Sequence, residues 1–178
     1  MSDIRAVVSL ESPWVRNILV AVLVIVAAVL QLSVAPLFSI ERVVPDLVLL
    51  VVVATGLARG GQAGVITGFA GGVLLDFAPP ADHTAGRWAL ALLVVGYIAA
   101  RVRNGGDRPT AITVMATVAA CSFVGVSIFA LTGMMLGESG GGELLTVAIS
   151  LGFDIILAPL LMPGMLWLLR QGTEREAL

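Results

Sequence analysis

Asp46, Asp76, Arg87 and Asp154 each lie inside or at the edge of a long apolar run. An ionisable side chain in such a setting is expensive to keep and marks a functional site by default. Two membrane aspartates raise the chemistry of an intramembrane aspartyl protease. That chemistry is marked by Gly-x-Gly-Asp, and neither Leu74-Leu75-Asp76 nor Gly152-Phe153-Asp154 supplies it. A phosphate-cradling P-loop needs a lysine, and the chain contains none. The single histidine, His83, stands between Asp82 and Thr84 with no cysteine or second histidine nearby, too few ligands for a structural metal site. Cys121 sits alone in an apolar run and reads as core packing. The residues therefore imply no catalytic centre, no metal and no cofactor, and they favour binding or scaffolding over catalysis.

The elements that must position these groups are membrane helices. Of 178 residues, 58% are hydrophobic and 12% charged, and mean hydropathy is +1.04. A soluble domain carries about 25% charged residues, so this chain cannot cover a water-facing surface. A net charge of −2 excludes a polybasic field for nucleic acid. Six apolar stretches, at 18–35, 46–58, 63–77, 87–100, 111–136 and 144–169, show no period-2 alternation, which leaves helices as the way to satisfy the backbone in lipid. The expected fold is an all-α polytopic membrane protein, one integral membrane domain over residues 1–178, built as a compact bundle of six transmembrane helices of which two are short. The short stretches 46–58 and 63–77 read as full spans or as a re-entrant hairpin. Spans are favoured, because Arg59 in the turn between them would be costly at mid-membrane.

Loop charges set the expected orientation. With a cytoplasmic N-terminus, Arg5, Arg16, Arg59, Arg101, Arg103, Arg108, Arg170 and Arg175 fall inside, and only Arg42 and Arg87 fall outside. That is a positive-inside bias, and it puts both termini in the cytoplasm. Arg16 before an apolar run and Ser33-Val34-Ala35 after it also suggest a signal peptide. The run is long for a signal core and Pro36 fits cleavage poorly, so the segment is expected to stay as the first span. Residues 2–12 carry a faint amphipathic spacing of Ile4, Val7 and Val8.

Within this frame, Gly64, Gly68 and Gly72 recur every four residues and lie on one helix face, with Gly71 widening it. Removing side chains there lets another backbone approach, the usual device of helix association in lipid; the approaching helix is either one of the chain's own or a partner's. Asp76 continues that face toward the outer side, where Asp46 and Arg87 also fall, so an outer-rim polar network is expected. Asp154 lies about 15 Å into its stretch. It either pairs with Arg87 or sits neutral and hydrogen-bonded in the bundle. Pro45 marks a helix start, and Pro159 and Pro163 are expected to kink the last helix and bring Asp154 nearer the rim. The loop Ala78-Pro79-Pro80-Ala81-Asp82-His83-Thr84-Ala85-Gly86 is stiff at its start and reads as a connector or a contact surface.

The run Pro45-Asp46-Leu47-Val48-Leu49-Leu50, then Arg59-Gly60, then Ala63-Gly64-Val65-Ile66-Thr67-Gly68-Phe69-Ala70-Gly71-Gly72-Val73-Leu74-Leu75-Asp76 resembles the rod shape-determining protein MreD family, as does Gly86-Arg87-Trp88-Ala89-Leu90 with Gly96-Tyr97. The resemblance covers residues 45 to about 103; the first span and the last two match only in length and hydropathy. It implies a non-enzymatic scaffold of the bacterial cell-elongation machinery in the inner membrane. Such a scaffold binds MreC and helps organise peptidoglycan synthesis, working indirectly with MreB, RodA and a class B penicillin-binding protein. Membrane lipids surround it, and self-association stays open. The family is similar in fold to the substrate-binding subunits of energy-coupling-factor transporters. That likeness supplies the alternative, a vitamin-binding subunit, which would need a polar, aromatic-lined outer pocket. On the resemblance, Pro45, Asp46, Gly64, Gly68, Gly72 and Asp76 are the positions that carry over.

Overall fold

A computed structural model describes residues 13–34, 37, 44–79, 84–103, 109–137 and 143–170. The amphipathic N-terminal stretch, His83 and Asp82 lie outside these residues, as do Arg5, Arg42, Arg108 and Arg175. Six helices follow in order: α1 Pro13–Ser33, α2 Leu47–Arg59, α3 Gly61–Asp76, α4 Arg87–Arg103, α5 Ala111–Met135 and α6 Glu143–Arg170. Three of them are long and apolar enough to cross a membrane, over Trp14–Ser33, Ala111–Met135 and Val147–Arg170. The 13 residues of α2 reach only about 20 Å at 1.5 Å per residue, against a hydrocarbon core of about 30 Å.

The sequence of α2, LVLLVVVATGLAR, is apolar on every side, and a helix of that kind belongs in the interior. It touches each of the other five helices, and every residue from Val48 to Ala58 is buried. In lipid no hydrophobic force separates such a helix from its surroundings, so close packing must hold it. Gly60 and Gly61 (φ 64° and 43°) turn the chain from α2 into α3. Both sit in the left-handed region, where a side chain would be strained, and Gly60 N–H donates to the Gly56 carbonyl at 2.8 Å.

α3 and α4 come together backbone to backbone. A Cβ on Gly64 would stand 2.6 Å from the Gly96 carbonyl oxygen, one on Gly68 would strike the Leu92 carbonyl, and one on Gly72 would strike Ala89 and the Trp88 carbonyl. The four-residue glycine repeat is therefore occupied by a helix of the same chain. Gly71 points elsewhere, toward Val48 of α2 and Val24 of α1. α6 runs unbroken through Pro159 and Pro163.

Candidate functional site

Gln31, Asp46, Asp76, Arg87, Ser122 and Asp154 are all buried and sit toward the end of the bundle opposite Arg16, Arg59, Arg101, Arg103 and Arg170, in two layers. The deeper layer surrounds the start of α2. Pro45 precedes the helix and Asp46 caps it, its Oδ1 accepting from Leu49 N–H at 3.0 Å, as an aspartate at this position commonly does. Two further donors at that helix end are met by other helices. Gln31 of α1 accepts from Val48 N–H through Oε1 at 3.0 Å. Asp154 of α6 accepts from Asp46 N–H through Oδ1 at 3.2 Å. The other oxygen of Asp154 accepts from the Ser122 hydroxyl of α5 at 2.5 Å, at the short end of the range for O–H···O bonds. Asp154 and Ser122 are fully buried, and Asp46 and Gln31 nearly so.

This arrangement gives a physical reason for a carboxyl inside an apolar helix. Asp154 lies eleven residues beyond Glu143, about 17 Å along α6. The start of α2 is drawn down to that level, where water cannot satisfy its unpaired N–H groups. Side chains from α1 and α6 do so instead, and the Ser122 hydroxyl of α5 holds the α6 carboxyl in place. Asp46 Oδ2 is left buried without a hydrogen-bond partner among the described residues.

The outer layer joins α3, α4 and α5. Both oxygens of Asp76, at the end of α3, accept from the first turn of α4, from Trp88 N–H and Ala89 N–H at 3.0 Å each. A carboxylate there satisfies two free donors and suits the positive helix end. Arg87 reaches across to α5. Its Nη2 donates to the Phe129 carbonyl at 2.6 Å, and its guanidinium lies 3.9 Å over the Phe129 ring, which also packs against Trp88 at 4.4 Å between centroids. Gly133 makes the room, since a Cβ there would collide with the Arg87 guanidinium.

The four ionisable residues expected at one rim thus divide. Ser122 and Phe129 are seven residues apart on α5, so the layers lie about 10 Å apart along the axis. Asp154 pairs with Ser122 and the Asp46 amide, in place of Arg87, and of the two readings given above it takes the hydrogen-bonded interior one. Sequence does not single out Gln31, Ser122, Phe129 or Gly133, and it marks Gly96 only as part of the Gly96-Tyr97 pair in the resemblance. A lone amide or hydroxyl in an apolar span is a weak signal for Gln31 and Ser122; Gly133 and Phe129 carry none until α5 is placed beside α4.

Hydrogen-bonded carboxyls that cap helices and clamp neighbours can hold a bundle rigid, and among the described residues no group of three or more metal-ligating side chains converges. Compared with known proteins, residues 14–171 match the family described as rod shape-determining protein MreD. The chain belongs to the MreD family. It is a shape-determining family, and its membrane association agrees with the three long apolar helices. No curated protein and no solved structure matches the chain. The family match extends over α1, α5 and α6 as well, so Gln31, Ser122 and Asp154 fall inside it.

Proposed function

We propose that the chain is a non-enzymatic scaffold of the rod-shape machinery of the bacterial inner membrane, binding MreC and helping to organise peptidoglycan synthesis. In this reading all six helices cross the bilayer, both termini are cytoplasmic, and the two polar layers face the outer half. MreB, RodA and a class B penicillin-binding protein are engaged indirectly.

The observation that carries the reading is the family match over nearly the whole chain, joined to a bundle whose buried polar groups are spent on capping and clamping. The shortest helix, α2, is accommodated because it is enclosed by protein, where backbone ends at membrane depth are tolerated if satisfied. Asp76 and Arg87 fix the outer ends of α3, α4 and α5, and so would hold the surface a partner reads. The vitamin-binding alternative asks for a pocket that stacks a ring. The groove between α1 and α3 is lined by Val20, Val24, Ile66 and other residues without an aromatic side chain, so it is not a pocket of that kind.

The test is to tag the C-terminus, solubilise native membranes in mild detergent and identify what co-purifies. MreC together with elongation proteins is the expected recovery. A transporter ATPase pair with its membrane coupling subunit would overturn the proposal.

A further inference from the structure

The deeper layer brings two carboxyl groups together in the interior of the bundle. Asp46 N–H donates to Asp154 Oδ1 at 3.2 Å. That amide stands three bonds from its own carboxyl carbon, so the two carboxyls lie within about 7 Å of each other. Asp46 is 4% exposed and Asp154 is 0% exposed. Asp154 receives a donor at each oxygen, the Asp46 amide at one and the Ser122 hydroxyl at the other. Asp46 receives Leu49 N–H at Oδ1. Its Oδ2 is buried and has no hydrogen-bond partner among the described residues.

No cation balances this pair. Among the described residues neither aspartate enters an ion pair. α1 offers Gln31 and α5 offers Ser122, and both are uncharged. Cys121, beside Ser122, turns to the Val95 carbonyl of α4. Asp76 of α3 and Arg87 of α4 belong to the outer layer, about 10 Å away along the axis. Glu143 begins α6, eleven residues before Asp154. With both carboxyls ionised, two negative charges would stand side by side in the interior with one oxygen unmet. A buried charge without a partner is costly, and a like charge at this range disfavours it further. A proton removes one of the charges and adds the missing donor. It needs no cavity and no exposed surface, because it is carried on the carboxyl itself.

We propose that the deeper layer is a proton-binding site, in which Asp46 and Asp154 together keep one proton at about pH 7, where a solvated aspartate has lost it. The proton comes from bulk water as the helix ends assemble, and it serves Asp46 Oδ2, the oxygen that no other donor reaches. The unfolded chain releases this proton above about pH 4, whereas the folded chain holds it. The pair's contribution to stability is therefore greatest in acid and falls as pH rises, until the folded pair gives up the proton too.

The experiment is infrared difference spectroscopy on the full chain, in a detergent without carbonyl groups, comparing ordinary with heavy water. Wild type at about pH 7 should show the C=O stretch of a protonated carboxyl, shifted by deuterium, where ordinary carboxylates show none. Asp46→Asn combined with Asp154→Asn should abolish the band. Asp76→Asn should leave it, since that carboxylate has a donor at each oxygen. Asp46→Asn alone sets an amide donor where Oδ2 stood and should flatten the fall of Tm with rising pH. Fold is checked in each variant by the protection of Cys121 from a maleimide. Absence of the band from wild type overturns the proposal whatever the variants do. So does a band that persists in the folded double variant, or a Tm that falls with pH as steeply in Asp46→Asn as in wild type.

Discussion

Replacing Gly68 by alanine tests the packing of α3 on α4 at its narrowest point. In an exposed helix the change would stabilise by about 1 kcal/mol, because alanine is the better helix former. Here the added Cβ would meet Leu92 backbone, with its carbonyl carbon at 2.7 Å, well inside the 3.4 Å at which ordinary contact begins. Backbone cannot rotate away as a side chain can, so the two helices must separate along the whole glycine face. Overpacking of this kind belongs at the upper end of its range, about 3 kcal/mol. Less the propensity gain, the net loss is about 2 kcal/mol, or about 4–8 °C in Tm for a chain of this size. Cys121 is the sole cysteine of the sequence and is fully buried, so a thiol-reactive maleimide dye reports unfolding during a thermal ramp without further engineering. Gly152→Ala is the matched control, since a Cβ at Gly152 meets nothing within 4 Å; it should melt at or slightly above wild type. A Gly68→Ala protein that melts with Gly152→Ala would refute the reasoning, because the α3–α4 approach would then not be limiting.

The same dye assay serves the polar layers. Asp154→Ala strips the acceptors from Asp46 N–H and the Ser122 hydroxyl and should cost about 1–3 kcal/mol for each buried group left unmet. Asp154→Asn keeps an acceptor for the amide and should lose less, and equal losses would contradict the capping role. Asp76→Ala removes both bonds to the first turn of α4 and should lower stability by about 0.5–2 kcal/mol while weakening recovery of the partner in co-purification; disappearance of the protein from membranes would make its role one of folding alone. Arg87→Lys cannot both bond the Phe129 carbonyl and lie flat on its ring, so it should behave more like Arg87→Gln than like wild type; a lysine variant that melts with wild type would count against the clamp.

Much of this architecture is written in local sequence. The apolar runs and the helices agree within a few residues, because the period and the length of a run are local properties. The glycine repeat, Gly64, Gly68 and Gly72, announces a close approach, but its partner is decided only when α4 supplies Ala89, Leu92 and Gly96 at matching heights. Asp46 and Asp76 are both visible as carboxyls at helix ends. That they belong to different layers is not visible, since it depends on how far α2 is sunk relative to α5 and α6. The depth of α2 is a property of packing, and it decides between the two readings of Asp154 that the sequence leaves open. Gln31 and Ser122 follow from it too: each is a polar residue in an apolar span until the unsatisfied end of α2 is placed beside it.

The claim that this bundle is a binding partner of MreC is tested most directly by reconstitution. The purified chain and MreC from the same organism would be placed in nanodiscs, with MreC reduced to its membrane segment and the residues that flank it, and association followed by fluorescence energy transfer. The account predicts association that persists with this short form and weakens with Gly68→Leu or Asp76→Ala. Absence of energy transfer with both the short form and intact MreC, at protein concentrations where the folded state is confirmed by Cys121 protection, would contradict it.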